Sequence, residues 1–147
     1  FRGHKPSLFL DNLSVGQYNK PFEPGITGVE WLTRDEAVTR WYADNPLCGF
    51  VYTQKFYHEI VKGLLYIIKE DNIKRTPDIP LLFISGTGDP VGDMGKGVVK
   101  VHGIYKALGY DAEITMYDEA RHELLNELNK EEVYDRVLQF IDDRKCD

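Results

Sequence analysis

Two side chains stand out for the chemistry that their spacing allows. Asp89 follows the apolar run Ile79-Pro80-Leu81-Leu82-Phe83-Ile84-Ser85-Gly86, and His122 follows a second run, Glu113-Ile114-Thr115-Met116-Tyr117, across the loop Asp118-Glu119-Ala120-Arg121. In parallel α/β sheets, reactive groups gather at the carboxyl ends of the strands, where exposed loops are anchored by a rigid sheet. One right-handed crossover between the two runs makes them neighbours about 5 Å apart. That spacing brings a carboxylate within hydrogen-bond reach of an imidazole, the pairing that readies a histidine to activate a hydroxyl contributed from elsewhere. Taken singly, an Asp before Pro is most often a turn residue, and a lone His is most often structural or solvated. Their joint position at successive strand ends is the signal.

The elements that must hold this pair are legible as strand, helix, strand, helix from Asp78 onward. A short, wholly apolar run bounded by Pro and Gly predicts a parallel strand buried on both faces. A helix is expected from about Met94 to Leu108, with Gly109 as a left-handed C-cap. The last helix is expected from about Lys130 to Asp143, with Asn129 as N-cap and Val133, Val137, Leu138, Phe140 and Ile141 facing inward. Residues 1–76 differ: they are rich in aromatics and turn formers and lack period-2 alternation, so they read as loops and helices without a sheet. Thr33 and Glu36 have capping-box spacing for a short helix near 34–43. From Lys55 to about Glu70, the residues Phe56, Ile60, Val61, Leu64, Leu65, Ile67 and Ile68 form a broad apolar stripe opposite Lys62 and Lys69, the usual mark of a helix packed on a core. Two parallel strands joined by one crossover leave both sheet edges open and both faces needing cover. The expectation is that a segment upstream of Phe1 supplies the rest of the sheet.

Composition narrows the partners. The 147 residues are 42% apolar and 12% aromatic, enough for a packed core, and carry a net charge of -6 with Lys and Arg scattered among the acids. No basic face exists to neutralise phosphates, so nucleic acid is not expected as a partner. Cys48 and Cys146 form neither a disulfide framework nor a metal-ligand spacing, and read as free thiols of a cytoplasmic protein. No apolar run approaches the roughly 20 residues that span a bilayer. Asp93, His102 and Glu123 could be grouped with His122 as metal ligands, but no spacing such as His-Glu-x-x-His appears, and no metal is expected. The glycines from Gly86 to Gly97 imitate a phosphate loop but put Pro90 where its first glycine belongs and Gly97 where Ser or Thr is required. The Gly-x-Gly-x-x-Gly fingerprint fails as well, with Val91 at its third glycine. These glycines are read as permitting tight turns beside the pair. Arg121 either pairs with an acidic group to hold the histidine loop or faces solvent, while His4 and His58 read as surface or cap residues.

The stretches Pro80-Leu81-Leu82-Phe83-Ile84-Ser85-Gly86-Thr87-Gly88-Asp89-Pro90-Val91-Gly92 and Ala120-Arg121-His122-Glu123-Leu124-Leu125-Asn126-Glu127 resemble the two C-terminal signatures of α/β-hydrolases in the serine-aminopeptidase-like group, which includes lysophospholipases and monoacylglycerol lipases. Gly28-Val29-Glu30-Trp31-Leu32-Thr33-Arg34-Asp35 and Asp44-Asn45-Pro46-Leu47-Cys48-Gly49-Phe50 resemble segments of the cap in these enzymes. The resemblance implies an α/β fold in which residues 1–76 form a mostly helical cap and residues 77–147 the C-terminal part of the α/β-hydrolase core. It implies a triad in the chain order Ser, Asp, His, with Asp89 and His122 as catalytic residues and the serine on a Gly-x-Ser-x-Gly elbow. None of Ser7, Ser14 and Ser85 sits on such an elbow, so the nucleophile and the oxyanion hole are expected upstream, in the N-terminal half of the same hydrolase. The implied activity is hydrolysis of a lysophospholipid, monoacylglycerol or other single-chain ester, without a cofactor, and lost in this fragment alone. Phe50, Tyr52, Phe56 and Tyr57 are candidates for an acyl-chain pocket, against the alternative that they pack within the cap. A peptidase or other small-substrate hydrolase, or a non-catalytic binding module on the same fold, are the competing readings.

Overall fold

In the computed structural model, which describes residues 3–144, residues 3–76 form helices and turns. α1 (Leu8–Leu13) starts at Ser7, whose hydroxyl accepts from the Leu10 amide at 3.3 Å. Turns of 3-10 helix follow at Val15–Gln17 and Lys20–Phe22. α2 (Glu36–Asp44) does form where the sequence predicts a helix, but the cap differs. The Asp35 carboxylate accepts from the Ala37 amide at 2.9 Å, while the Thr33 hydroxyl accepts from the Asp35 amide and donates to the Asn126 carbonyl. A carboxylate beside the positive end of the helix is the stronger cap, and it frees Thr33 for a long-range contact. α3 (Gln54–Ile67) is capped by Thr53 and followed by the short α4 (Glu70–Ile73). The N-terminal segment lies against the start of α3 through a bridge between Pro6 and Thr53.

The remainder is one strand-helix-strand unit and a closing helix: β1 (Leu81–Gly86), α5 (Lys96–Ala107), β2 (Ala112–Tyr117) and α6 (Lys130–Asp142). β1 and β2 pair in parallel, with Leu81 opposite Ala112 at one end and Gly86 opposite Tyr117 at the other. α5 begins two residues later than the sequence predicts, because Asp93, Met94 and Gly95 all take positive φ (53°, 52° and 81°) in the turn before it. It ends as expected, with Gly109 at φ 91°. Asn129 occupies the N-cap position of α6 without capping it, since its side chain is held by Arg34 and Glu132.

The buried core is small and sits directly under the histidine loop: Tyr117, Ala120, Leu124 and Val133, with Ile84 packed against them. Three burial expectations fail. The stripe on α3 does not pack on a core; Ile60, Val61, Leu64, Leu65, Ile67 and Ile68 are 46–62% exposed, and Tyr57 alone is buried on that helix. On α6, Val133 is buried and Val137 and Phe140 are half-buried, but Leu138 and Ile141 face solvent. β1 is only half-buried from Leu81 to Ile84 rather than enclosed on both faces. The common cause is that the described residues contain two paired strands, too few to form layers over every apolar face. Among the described residues, no helix is long and apolar enough to cross a membrane.

Candidate active site

The carboxyl ends of β1 and β2 continue into two loops joined by backbone bonds. The Thr87 amide donates to the Tyr117 carbonyl and the Gly88 amide to the Ala120 carbonyl, both at 2.9 Å. The Thr87 hydroxyl extends the contact, donating to Asp118 at 3.1 Å and accepting from the Glu119 amide at 2.8 Å. This approach requires Gly86: a Cβ there would lie 1.9 Å from the Ala120 carbonyl oxygen. The sequence marks the glycine but gives the wrong reason, since close approach of a second loop demands it rather than a turn.

These loops bring Asp89 and His122 together, with His122 Nδ1 donating to Asp89 Oδ2 at 3.2 Å. The other oxygen, Oδ1, accepts from the Val91 amide at 2.9 Å, and the Asp89 carbonyl accepts from the Met94 amide at 2.8 Å, so the carboxylate is fixed before it meets the imidazole. The Asp89 side chain is 10% exposed and that of His122 is 40% exposed. With Nδ1 carrying the proton toward the carboxylate, Nε2 keeps the lone pair. The bond to Asp89 holds the imidazole above its ordinary value; partial burial pushes it down, and the charges of Asp89 and Glu123 add to the upward shift. Such a pair can orient a neutral imidazole and stabilise the imidazolium once it has taken a proton.

Residues 29–35, assigned to the cap by their sequence, frame the histidine loop. The His122 amide donates to the Trp31 carbonyl at 3.4 Å and the Glu123 amide to the Leu32 carbonyl at 2.7 Å. The Trp31 indole stands against the His122 ring with centroids 5.4 Å apart, backed by Tyr18 at 5.2 Å. Arg121, whose role the sequence leaves open, points inward: it donates to the carbonyls of Glu30 (2.5 Å) and Thr33 (3.2 Å) and covers the Phe22 ring at 4.1 Å. Arg34 pairs with the fully buried Glu127 at 2.9 Å. Desolvation raises the Glu30 carboxyl, but donors from Thr27 and Asn19 outweigh it and hold the group at about 2. Trp31, Arg34 and Glu127 carry no functional signal in the sequence beyond their place in the quoted segments.

The remaining candidates are dispersed. Tyr52 stacks on Phe56 at 4.0 Å and meets Phe50 at 5.0 Å, forming an aromatic cluster in which Phe50 and Phe56 are exposed. Tyr57 is buried beneath it, its hydroxyl donating to Asp11 at 2.8 Å. Beside the histidine loop lies a separate open groove of about 450 Å³ lined by Trp41, Tyr42, Cys48 and Glu123, which sequence reasoning missed. His102 bonds the Ala112 carbonyl at 3.1 Å and packs on Phe83, and Glu123 accepts from Asn126. Each serine is engaged locally: Ser7 caps α1, Ser14 donates to the Leu10 carbonyl at 2.7 Å, and the buried Ser85 donates to the Gly86 carbonyl at 3.3 Å. Cys146 lies outside the described residues.

The fold is shared by solved structures. A thermostable carboxyl esterase from Bacillus coagulans, solved with glycerol, aligns at TM-score 0.86 and 24% identity over 96% of this chain and 47% of its own. A lipase in its open form aligns at 0.82 and 23% identity, over 95% of this chain and 46% of its own. A Paleococcus ferrophilus monoacylglycerol lipase aligns at 0.60 and 18% identity, over 93% and 52%. The chain thus spans about half the length of the structures it matches. No curated protein matches it in sequence. A family model described as serine aminopeptidase, S33, matches residues 6–129. With the α/β-hydrolase fold and a match through most of its length, the chain belongs to the serine aminopeptidase S33 family of hydrolases.

Proposed function

We propose that this chain supplies the general base of a serine ester hydrolase and the carboxylate that orients it, with the nucleophilic serine and the oxyanion hole contributed by a segment upstream of Phe1. The observation that carries the reading is the 3.2 Å contact between His122 Nδ1 and Asp89 Oδ2 at the ends of adjacent parallel strands. The local engagement of Ser7, Ser14 and Ser85, and the span of about half the matched structures, support a nucleophile elsewhere in the full-length protein. There, neutral His122 takes the serine proton through Nε2 as the serine oxygen attacks the ester carbonyl. The imidazolium returns that proton to the leaving alcohol, and an acyl-enzyme remains. Water, deprotonated by the same nitrogen, then attacks the acyl carbonyl, and the released serine oxygen takes the proton back.

The substrate class we assign is a single-chain ester such as a lysophospholipid or monoacylglycerol. The esterase and lipase names of the matched structures support it, as does the aromatic cluster of Phe50, Tyr52, Phe56 and Tyr57 as an acyl-chain surface on the cap formed by residues 1–76. The family description favours a second reading, cleavage of a peptide amide. A substrate panel on the full-length protein decides. Hydrolysis of monoacylglycerol and lysophospholipid, lost by about 10³-fold or more in His122→Ala, supports the ester reading. Release of N-terminal residues from peptides with no ester turnover would replace it by the peptidase.

A further inference from the structure

We infer that Glu127 is a positioning residue for His122, setting the geometry of the imidazole through the two backbone segments between which the histidine is suspended. The inference rests on the catalytic reading of His122 above. Glu127 is the one carboxylate that is completely buried among the described residues, which is costly unless its oxygens are satisfied. Both are. Oε1 accepts from the amides of Arg34 (3.2 Å) and Arg121 (2.8 Å), and Oε2 accepts from Arg34 Nε (2.9 Å) and the Leu128 amide (3.0 Å). Two donors on each oxygen leave no lone pair to move a proton, so its role is geometric rather than catalytic.

The donors explain which geometry. The Arg121 amide belongs to the residue immediately before His122, so the carboxylate closes the loop from 121 to 127 on itself. The Arg34 amide and guanidinium fix the segment that holds the histidine from the other side, through the Trp31 and Leu32 carbonyls and the Trp31 ring. One side chain therefore locks both walls of the histidine slot. A glutamine has the same shape but only one acceptor oxygen, and its NH₂ would face two N–H donors.

The test compares wild type and Glu127→Gln by the pH titration and Nδ1–H proton resonance of His122, and by kcat and KM of the full-length protein on a monoacylglycerol. Positioning predicts that the His122 titration falls toward the ordinary value of 6.5, that its Nδ1–H signal is lost, and that kcat drops about 10- to 100-fold with KM within about twofold. Arg34→Met, which keeps the carboxylate and removes its side-chain donor, moves the same readouts less and serves if the first variant fails to fold. An unchanged His122 titration in a folded variant, with lowered Tm as the only effect, overturns the inference and leaves Glu127 a stability residue. If the wild-type protein hydrolyses no ester, the proposed function fails, while the titration still decides the part played by Glu127.

Discussion

A single methyl group at Gly86 tests how tightly the Asp89 and His122 loops are locked. The new Cβ of Gly86→Ala would stand 1.9 Å from the Ala120 carbonyl oxygen, 2.3 Å from its carbon and 2.8 Å from the Arg121 carbonyl oxygen. All three are backbone atoms, so no side-chain rotation relieves the clash. Reaching ordinary contact at about 3.4 Å requires the loops to part by about 1.5 Å, which packed interiors do not absorb freely. The same displacement takes the 2.9 Å bonds from Thr87 to Tyr117 and from Gly88 to Ala120 beyond hydrogen-bond range, and opens the 3.2 Å contact of His122 with Asp89. Overpacking of this kind costs about 1–3 kcal/mol and each lost bond about 1 kcal/mol, for a loss of about 3–5 kcal/mol. That is a large share of the stability of an ordinary domain. Urea unfolding reads it as a lower midpoint at unchanged slope, and the Nδ1–H resonance of His122 should vanish with it. Gly88→Ala, whose Cβ meets the Glu119 carbonyl oxygen at 2.9 Å, should cost clearly less. A loss below about 1 kcal/mol in Gly86→Ala with the resonance retained would refute the reasoning, because the loops would then have room that the geometry denies them.

Two further outcomes follow from the same contacts. His122 has a raised value in the folded protein, so its pairing contributes stability that is fully present below the ordinary imidazole value, about 6.5, and is lost as pH rises through the folded value. Asp89→Asn should lower the His122 titration measured by NMR and flatten that pH dependence, and an unmoved titration would show that the pair is not coupled. Arg121→Met leaves the carbonyls of Glu30 and Thr33 without their donor and uncovers Phe22, which should cost about 2–4 kcal/mol in thermal unfolding; a loss within about 0.5 kcal/mol would mean that water replaces the guanidinium.

The pair at the strand ends was legible because acid, imidazole and strand pattern are all local features, and one crossover rule joins them. What holds the pair was not. Glu127 and Arg34 are 93 residues apart, and nothing in either neighbourhood announces a buried ion pair. Gly86 was visible as a glycine, but the carbonyl that excludes a side chain belongs to Ala120 on the other loop. Thr33 has the spacing of a helix cap and lost that place to Asp35, because a tertiary contact with the Asn126 carbonyl claimed its hydroxyl. The α3 stripe misled for a different reason: periodicity reports that an apolar face exists and says nothing of what covers it.

Reaction of the full-length protein with a fluorophosphonate ester, followed by peptide mapping, addresses the acid-base pair most directly. One serine outside residues 1–147 should take the label, at a rate that collapses in His122→Ala. No labelling, labelling on Ser85, or a rate indifferent to His122 would mean that the imidazole held by Asp89 serves no nucleophile.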